Sequence, residues 1–335
     1  MIKPTNFAVC VSDYFIKHLA GIRNLSHNTI KSYRDTFCLL LLYMNEQLDM
    51  KTERISLENI TNGVILNFMD WLETDRQNSI STRNQRLAAI HAFFRYVQMQ
   101  HPEMLLQCQR ILAIPMKKVK KSTVNYMSED TIKHLLAAPD QTDKYGIRDA
   151  ALLCLLYDSG ARVQELIDLS LCDVRVETPA TVRLLGKGNK VRTVPIMKQT
   201  CEILKKYLSA WSWKPTERPD NPLFINHQGH KLTRPGVTYI LNKYATKVES
   251  QSTAKPLTPH ILRHSKAMHL LRAGIDLHYI RDFLGHVYVE TTEVYARADS
   301  EMKRKAFEKA AIELPNQGQS IWQKDKDLLS WLQSF

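Results

Sequence analysis

Residues 181–196 read TVRLLGKGNKVRTVPI. Thr181–Leu185 and Val191–Ile196 each alternate apolar with polar positions, and Gly186, Lys187, Gly188, Asn189 and Lys190 lie between them. A period of two, interrupted by a turn rich in glycine and asparagine, predicts a β-hairpin. Around it the apolar residues recur at helical spacing instead. Arg148–Ser159 reads as a helix stopped by Gly160, and Arg162 opens a short helix through Leu169. Beyond the hairpin, helices are expected over 198–211 and 234–248, with a short extended run at Pro222–Asn226. Thr258 and Pro259 supply the N-cap and first position of a helix to Ala273. A further helix runs from Asp276 to Leu284, stopped by Gly285, and another reaches Tyr295. The chain is therefore expected to be mainly α-helical with one small β-sheet.

Farther out, residues 1–112 read as a separate helical domain. Ser26 is placed to cap a helix through Tyr43 whose apolar positions are Ile30, Tyr33, Phe37, Leu40 and Leu41. A second helix covers 61–74, with Val64, Ile65, Phe68, Met69 and Leu72 inward. A third opens at Ser81, with Leu87, Ile90, Phe93, Phe94 and Val97 on one face and Arg83, Arg86 and Arg95 on the other. Residues 113–125 form a basic linker: Pro115 discourages helix, and Lys117, Lys118, Lys120 and Lys121 crowd together. The mixed domain then occupies 126–314, and 315–335 is an amphipathic tail. Ile321, Leu328, Leu332 and Phe335 fall on one side of that tail, which either caps its own domain or docks on a neighbour.

The charge narrows the partner. Forty-six Lys and Arg against 34 Asp and Glu give +12, a surplus that suits nucleic acid first and an anionic membrane surface second. The longest apolar runs, Phe37–Met44 and Ala150–Tyr157, are far below the ~20 residues of a membrane span, and no signal peptide is evident. Six cysteines, at 10, 38, 108, 154, 172 and 201, show no CxxC spacing, so they are expected to be buried reduced thiols of a cytosolic protein, with no structural metal.

Six polar residues of the second domain carry the chemistry: Arg162, Lys187, His260, Arg263, His286 and Tyr295. Each alone has an ordinary explanation, such as a C-capping histidine or a lysine in a hairpin turn. Together they suit attack by a tyrosine on a phosphodiester. Two guanidinium forks can hold the non-bridging oxygens as charge builds on them. A histidine and a lysine can manage the two protons in flight. A phosphotyrosyl ester conserves the energy of the broken bond, so resealing calls for neither ATP nor metal, and no cofactor is expected.

The stretches 159-SGARVQEL-166, 186-GKGNK-190, 258-TPHILRH-264, 284-LGH-286 and 291-TTEVY-295, in that order, resemble the tyrosine recombinase (phage integrase-like) family. The resemblance extends to 25-LSHNTIKSY-33 and 80-ISTRNQRL-87, and so to all but the last twenty or so residues. It implies an N-terminal core-binding domain of SAM-like helices and a mixed α/β catalytic domain. Arg162 and Arg263 would clamp the phosphate and Tyr295 would be the nucleophile. Lys187 would protonate the leaving 5′ oxygen, with Lys190 on the same turn as the alternative. His260 would assist proton transfer, His286 would bind phosphate or position the tyrosine, and Glu165 would support the first arginine. Arg83, Arg86, Lys190 and the linker lysines Lys117, Lys118, Lys120 and Lys121 would meet duplex DNA. His264, one residue past Arg263 and therefore about 100° around the helix, is expected to be structural. His269 and His278 are expected to pack or lie at the surface. The implied assembly is a homotetramer on synapsed double-stranded DNA, in the cytoplasm with the nucleoid. A type IB topoisomerase and a catalytically silent DNA-binding protein are the rival readings.

Overall fold

The computed structural model describes residues 4–119, 125–186, 188–213, 218–248 and 256–285, together with Thr292, Tyr295 and Gln333. The chain divides into two compact units, Met1–Ser122 and Thr123–Phe335. All of the amphipathic tail except Gln333 lies outside the described residues, as do Lys120, Lys121, Lys187 and His286.

The first unit is all helical among those residues. Helix α1 (Asn6–Asp13) runs on into a wider π-turn through Ile22. It is followed by α2 (His27–Leu48), α3 (Asn62–Thr74), α4 (Ile80–Gln100) and α5 (Leu105–Leu112). The hydroxyls of Thr5, Ser26, Thr61 and Ser79 each accept a hydrogen bond from a first-turn amide, which explains four of the five helix starts. Ser79, not Ser81, caps α4. One core joins the elements: Phe37, Leu40 and Met44 of α2, Ile65, Phe68 and Leu72 of α3, and Leu87, Phe93, Phe94 and Val97 of α4.

Arg83 departs from its expected place on a solvent face, because it is only 3% exposed. Its Nε lies 3.1 Å from Glu73, and it reaches the carbonyl of Pro115 at 3.5 Å. The same Glu73 accepts from Lys117, whose backbone is pinned in both directions by the Asn84 amide. Ile114 is buried in the core. The first residues of the expected linker thus pack onto the helical unit.

The second unit begins with Ser128 capping α6 (Glu129–Ala137) and Asp143 capping α7 (Lys144–Ser159). The short α8 (Val163–Ile167) leads to a three-stranded antiparallel sheet, β1 (Val174–Arg175), β2 (Thr181–Leu185) and β3 (Val191–Pro195). The hairpin has the register its alternation requires, with Val182 opposite Val194 and Leu185 opposite Val191. The two-residue β1 was not expected; it is too short to show any periodicity. Val182, Leu184 and Val194 point into a core shared with α7, α9 (Lys198–Ala210) and α10 (Arg234–Val248).

Helix α11 (Pro259–Arg272) starts at Pro259, although Thr258 makes no side-chain cap bond. Asp276 caps α12 (Leu277–Leu284) through the amide of His278. His269 packs as expected, bonded to Tyr157 and to the Met127 carbonyl, while His278 is exposed. Four of the cysteines are buried, but Cys38 and Cys172 are exposed. No described helix is long and apolar enough to cross a membrane.

Candidate active site

Two helices end on glycines, and both ends face the same place. Gly160 after α7 and Gly285 after α12 have φ of 56° and 66°, in the left-handed region where a side chain is strained. Space disfavours one as well: a Cβ on Gly160 would lie 2.8 Å from the Phe283 ring, and one on Gly285 would crowd the Arg192 guanidinium at 3.0 Å. Helix C-termini leave carbonyls without intrahelical partners and carry partial negative charge. Here those carbonyls take arginines. Arg263 donates to the carbonyls of Gly160 at 2.6 Å and Leu284 at 2.7 Å. Arg162 donates to the carbonyl of Gly285 at 3.3 Å. Arg192 donates to the carbonyl of Phe283 at 3.0 Å.

Glu165 completes the frame. Its carboxylate accepts from the backbone and side chain of Arg162 at 2.8 and 2.7 Å, and from two nitrogens of Arg192 at 3.1 and 2.7 Å. Burial raises its pKa, but the Arg192 and Arg162 hydrogen bonds outweigh that and hold it down to about 2. Arg192 was not singled out from the sequence. Its signal was present: on β3 it stands two places before Val194 and so on the same inward face, an arginine where the alternation calls for an apolar residue.

Arg263 is buried, and burial with the nearby positive charge of Arg162 lowers its pKa to about 10, so it stays charged at neutral pH. Among the described residues its hydrogen bonds go only to main-chain carbonyls. A guanidinium has five N–H donors, and these two bonds leave the rest available. Arg162 and Arg192 bond the single carboxylate of Glu165, and Arg263 stands near it without bonding it, so the three arginines leave a surplus of positive charge suited to an anion.

His260, on the first turn of α11, is open to solvent at the mouth of the cluster. Partial desolvation and the charges of Arg263, Arg162 and Arg234 push its pKa down. Exposed Arg234 is fixed there by a 2.6 Å bond to Gln164. Tyr295 is 2% exposed, packed among Ala267, Met268, Leu271, Ile280 and Leu284. Burial raises its pKa, against the lowering influence of Arg263 and Arg162. Its hydroxyl lies 2.9 Å from Nδ1 of His264. The His264 side chain turns away from Arg263, as helix geometry requires, and the direction it turns is toward Tyr295. Its spacing of four from His260, whose ring centroid is 6.4 Å away, was the signal to follow.

Lys187 follows Gly186, where an added Cβ would lie 3.4 Å from Glu165 Oε1, so the turn springs from the edge of the cluster. Lys190 is exposed on the same turn. In the helical unit Arg83 and Lys117 are engaged with Glu73 as described, and Lys118 is exposed. Arg86 is half-buried between two polar cavities of about 340 and 230 Å³. Its Nε is buried without a hydrogen-bond partner, and burial pushes its pKa down, with Asp35 opposing and Arg76 assisting.

A buried phenol beside a carbonyl-held pair of arginines is an arrangement that suits one class of protein, which breaks phosphodiesters with a tyrosine. Comparison with known proteins makes this specific. Residues 125–302 match the model of the phage integrase family, and residues 13–101 match the phage integrase N-terminal SAM-like domain. The chain is 37% identical over 339 residues to an integrase/recombinase of Sinorhizobium fredii, covering all of both chains. It is 31% identical over 303 residues to the tyrosine recombinase XerC of Pelotomaculum thermopropionicum, covering 89% of this chain and 96% of the relative. The fold is shared with XerH recombinase bound to difH DNA (TM-score 0.66, 22% identity, 87% of this chain and 81% of that one). It is shared too with the Tn1549 transposon integrase (TM-score 0.67, 18% identity, 90% and 99%). The chain belongs to the phage integrase family, the tyrosine recombinases, enzymes that cleave and rejoin DNA.

Proposed function

We propose that this chain is a site-specific recombinase in which Tyr295 attacks the scissile phosphate of double-stranded DNA. The observation that carries the reading is the placement of Arg162 and Arg263 on the carbonyl ends of α7 and α12, close enough to Tyr295 to act on its ionisation. Their positions are set before any ligand arrives, so no reorganisation is needed as charge builds on the non-bridging oxygens. Attack gives a 3′-phosphotyrosyl link and releases a 5′ hydroxyl, protonated by Lys187 or, failing that, by Lys190. His260 assists proton transfer at the phosphate, and His286 binds the phosphate or positions the tyrosine. The 5′ hydroxyl of a partner strand then displaces the tyrosine. Two such rounds in a homotetramer exchange both strand pairs through a Holliday junction, with the tail beyond Leu314 linking adjacent protomers.

The biological outcome is integration or excision of a mobile element, or resolution of chromosome dimers, on nucleoid DNA in the cytoplasm. The relatives named as integrases and as Xer recombinases favour these roles. Arg86, Lys118, Lys120 and Lys121 track the DNA backbone by charge. Arg83 is left out, because its guanidinium is committed to Glu73.

Nicked duplexes that trap the covalent step test this reading. A denaturant-resistant adduct mapping to Tyr295 is expected. No adduct, or an adduct on another residue, overturns it. Relaxation of supercoils without recombination between two sites would assign a topoisomerase instead. A substrate with sulfur at the bridging 5′ position identifies the acid: it should restore Lys187→Ala and leave Arg162→Ala slow. Restoration only of Lys190→Ala moves the acid to that residue.

A further inference from the structure

We propose that His264 is the general base for the nucleophile, taking the phenolic proton of Tyr295 on Nδ1 as the tyrosyl oxygen bonds to phosphorus. The inference rests on the reading of Tyr295 as nucleophile and adds the group that deprotonates it.

The argument starts from the proton. A phenol must lose its proton to become an effective nucleophile, and burial makes that harder for Tyr295 by raising its pKa. A base within hydrogen-bond reach of that proton is required, and His264 Nδ1, at 2.9 Å, is in reach. His260 serves less well, because it lies one helical turn away at the open mouth with its ring centroid 6.4 Å from that of His264.

The state of the imidazole fits the role. Burial, then the neighbouring His260 and Arg263, push the pKa of His264 below the ordinary value of 6.5. The ring is therefore neutral at pH 7. With its own proton on Nε2, Nδ1 accepts from the Tyr295 hydroxyl. The ring is tilted at 55° to the tyrosine ring with centroids 5.6 Å apart, and the hydroxyl lies against Nδ1. Backbone geometry supports the placement: α11 holds Arg263 toward the carbonyls of Gly160 and Leu284, and the next residue, about 100° around, faces the tyrosine.

A weak base in the free protein becomes a stronger one when substrate arrives. The positive charge of Arg263 that depresses His264 is the charge a bound phosphate would offset. Anion binding between the arginines therefore raises the affinity of His264 for a proton at the step where the proton must move. In the forward step the Tyr295 Oη–H bond breaks, Nδ1 gains the proton, Oη–P forms and P–O5′ breaks, with the leaving oxygen protonated from the hairpin lysine. In the reverse step the imidazolium returns its proton to the departing tyrosine.

The test is single-turnover formation of the covalent adduct on a nicked duplex carrying the site, with the full chain. His264→Asn keeps an acceptor near the Nδ1 position but cannot carry the proton. Its cleavage rate is expected to fall by about 10² to 10⁴, with DNA affinity and thermal melting unchanged. Replacing Tyr295 with a difluorotyrosine, whose phenol ionises more readily, should recover most of that loss in the His264→Asn background. An unchanged or faster rate in His264→Asn, while the wild type makes its adduct, overturns the proposal and leaves the nucleophile standing. A slow variant that the fluorinated tyrosine fails to recover also overturns it, because the loss is then structural. Should His264→Asn fail to fold, His264→Gly with added imidazole replaces it: recovery by imidazole supports the base, and no recovery rejects it. If the wild type itself forms no adduct at Tyr295, the failure belongs to the recombinase reading.

Discussion

Arg83 in the helical unit and Arg263 in the catalytic unit are equally buried, each 3% exposed, and they do opposite work. Arg83 lies 3.1 Å from the carboxylate of Glu73, a carboxylate it shares with Lys117. Its charge is matched inside the protein, and it holds the segment around Pro115 against α4. Arg263 has been given main-chain carbonyls, which occupy two of its donors without cancelling its charge. Burying an ion is expensive unless it is paired, and a carbonyl dipole offsets only part of that expense. A buried arginine left this way is a prepared anion site; one given a full carboxylate is a strut. Position on a helix and residue type are the same in both cases, so the partner atoms decide.

The largest test of that contrast removes the reacting atom. Tyr295→Phe should abolish covalent adduct entirely while binding DNA as the parent does. An adduct from this variant would dissolve the assignment of the catalytic unit's chemistry. Next comes Arg263→Lys, which keeps a charge but loses the planar fork between two carbonyls. Adduct formation should slow by about 10² to 10³ with little change in melting. Arg83→Met should behave in the reverse way. Leaving Glu73 without Arg83 should destabilise the helical unit by about 3 kcal/mol in urea unfolding, with the cleavage rate on saturating DNA near that of the parent. If both variants lose mainly stability, or both lose mainly rate, the distinction between strut and anion site is wrong.

A smaller effect concerns Glu165, the carboxylate that the catalytic unit does use. Its folded pKa of about 2 lies below the ordinary 4.5, because hydrogen bonds from Arg192 and Arg162 overcome burial. A depressed carboxylate contributes stability that is fully present above its unfolded pKa and is lost as pH falls toward the folded one. Wild type should therefore exceed Glu165→Gln by a constant margin at pH 5 and above. That margin should shrink between about pH 4.5 and 2. Urea unfolding across this range measures it, and a margin that grows on acidification would reverse the sign of the argument.

Much of this molecule is legible in its sequence because local rules suffice. The hairpin at 181–195, the glycine stops at 160 and 285, and the serine caps at 26 and 128 follow from periodicity and backbone freedom within a few residues. The family motifs at 159–166 and 258–264 mark the two arginines by the same short-range logic. Burial of Arg83 escaped that logic, since helical spacing puts it on the polar side of α4 and only the returning chain at Pro115 and Lys117 covers it. Arg192 escaped it too, because its partners lie 27 and 91 residues away in sequence.

His264 marks the boundary. The sequence fixes its direction relative to Arg263 and its alignment with His260, because helix geometry is local. It says nothing of what stands in that direction. Tyr295, 31 residues on, arrives there only when α11 and α12 pack and bury its ring among their apolar side chains. The sequence by itself determined which groups can carry charge and protons and which helix ends they sit beside. Tertiary structure alone decided which guanidinium is neutralised and which histidine meets the phenol, because pairing depends on distances of about 3 Å that only packing between distant segments can set.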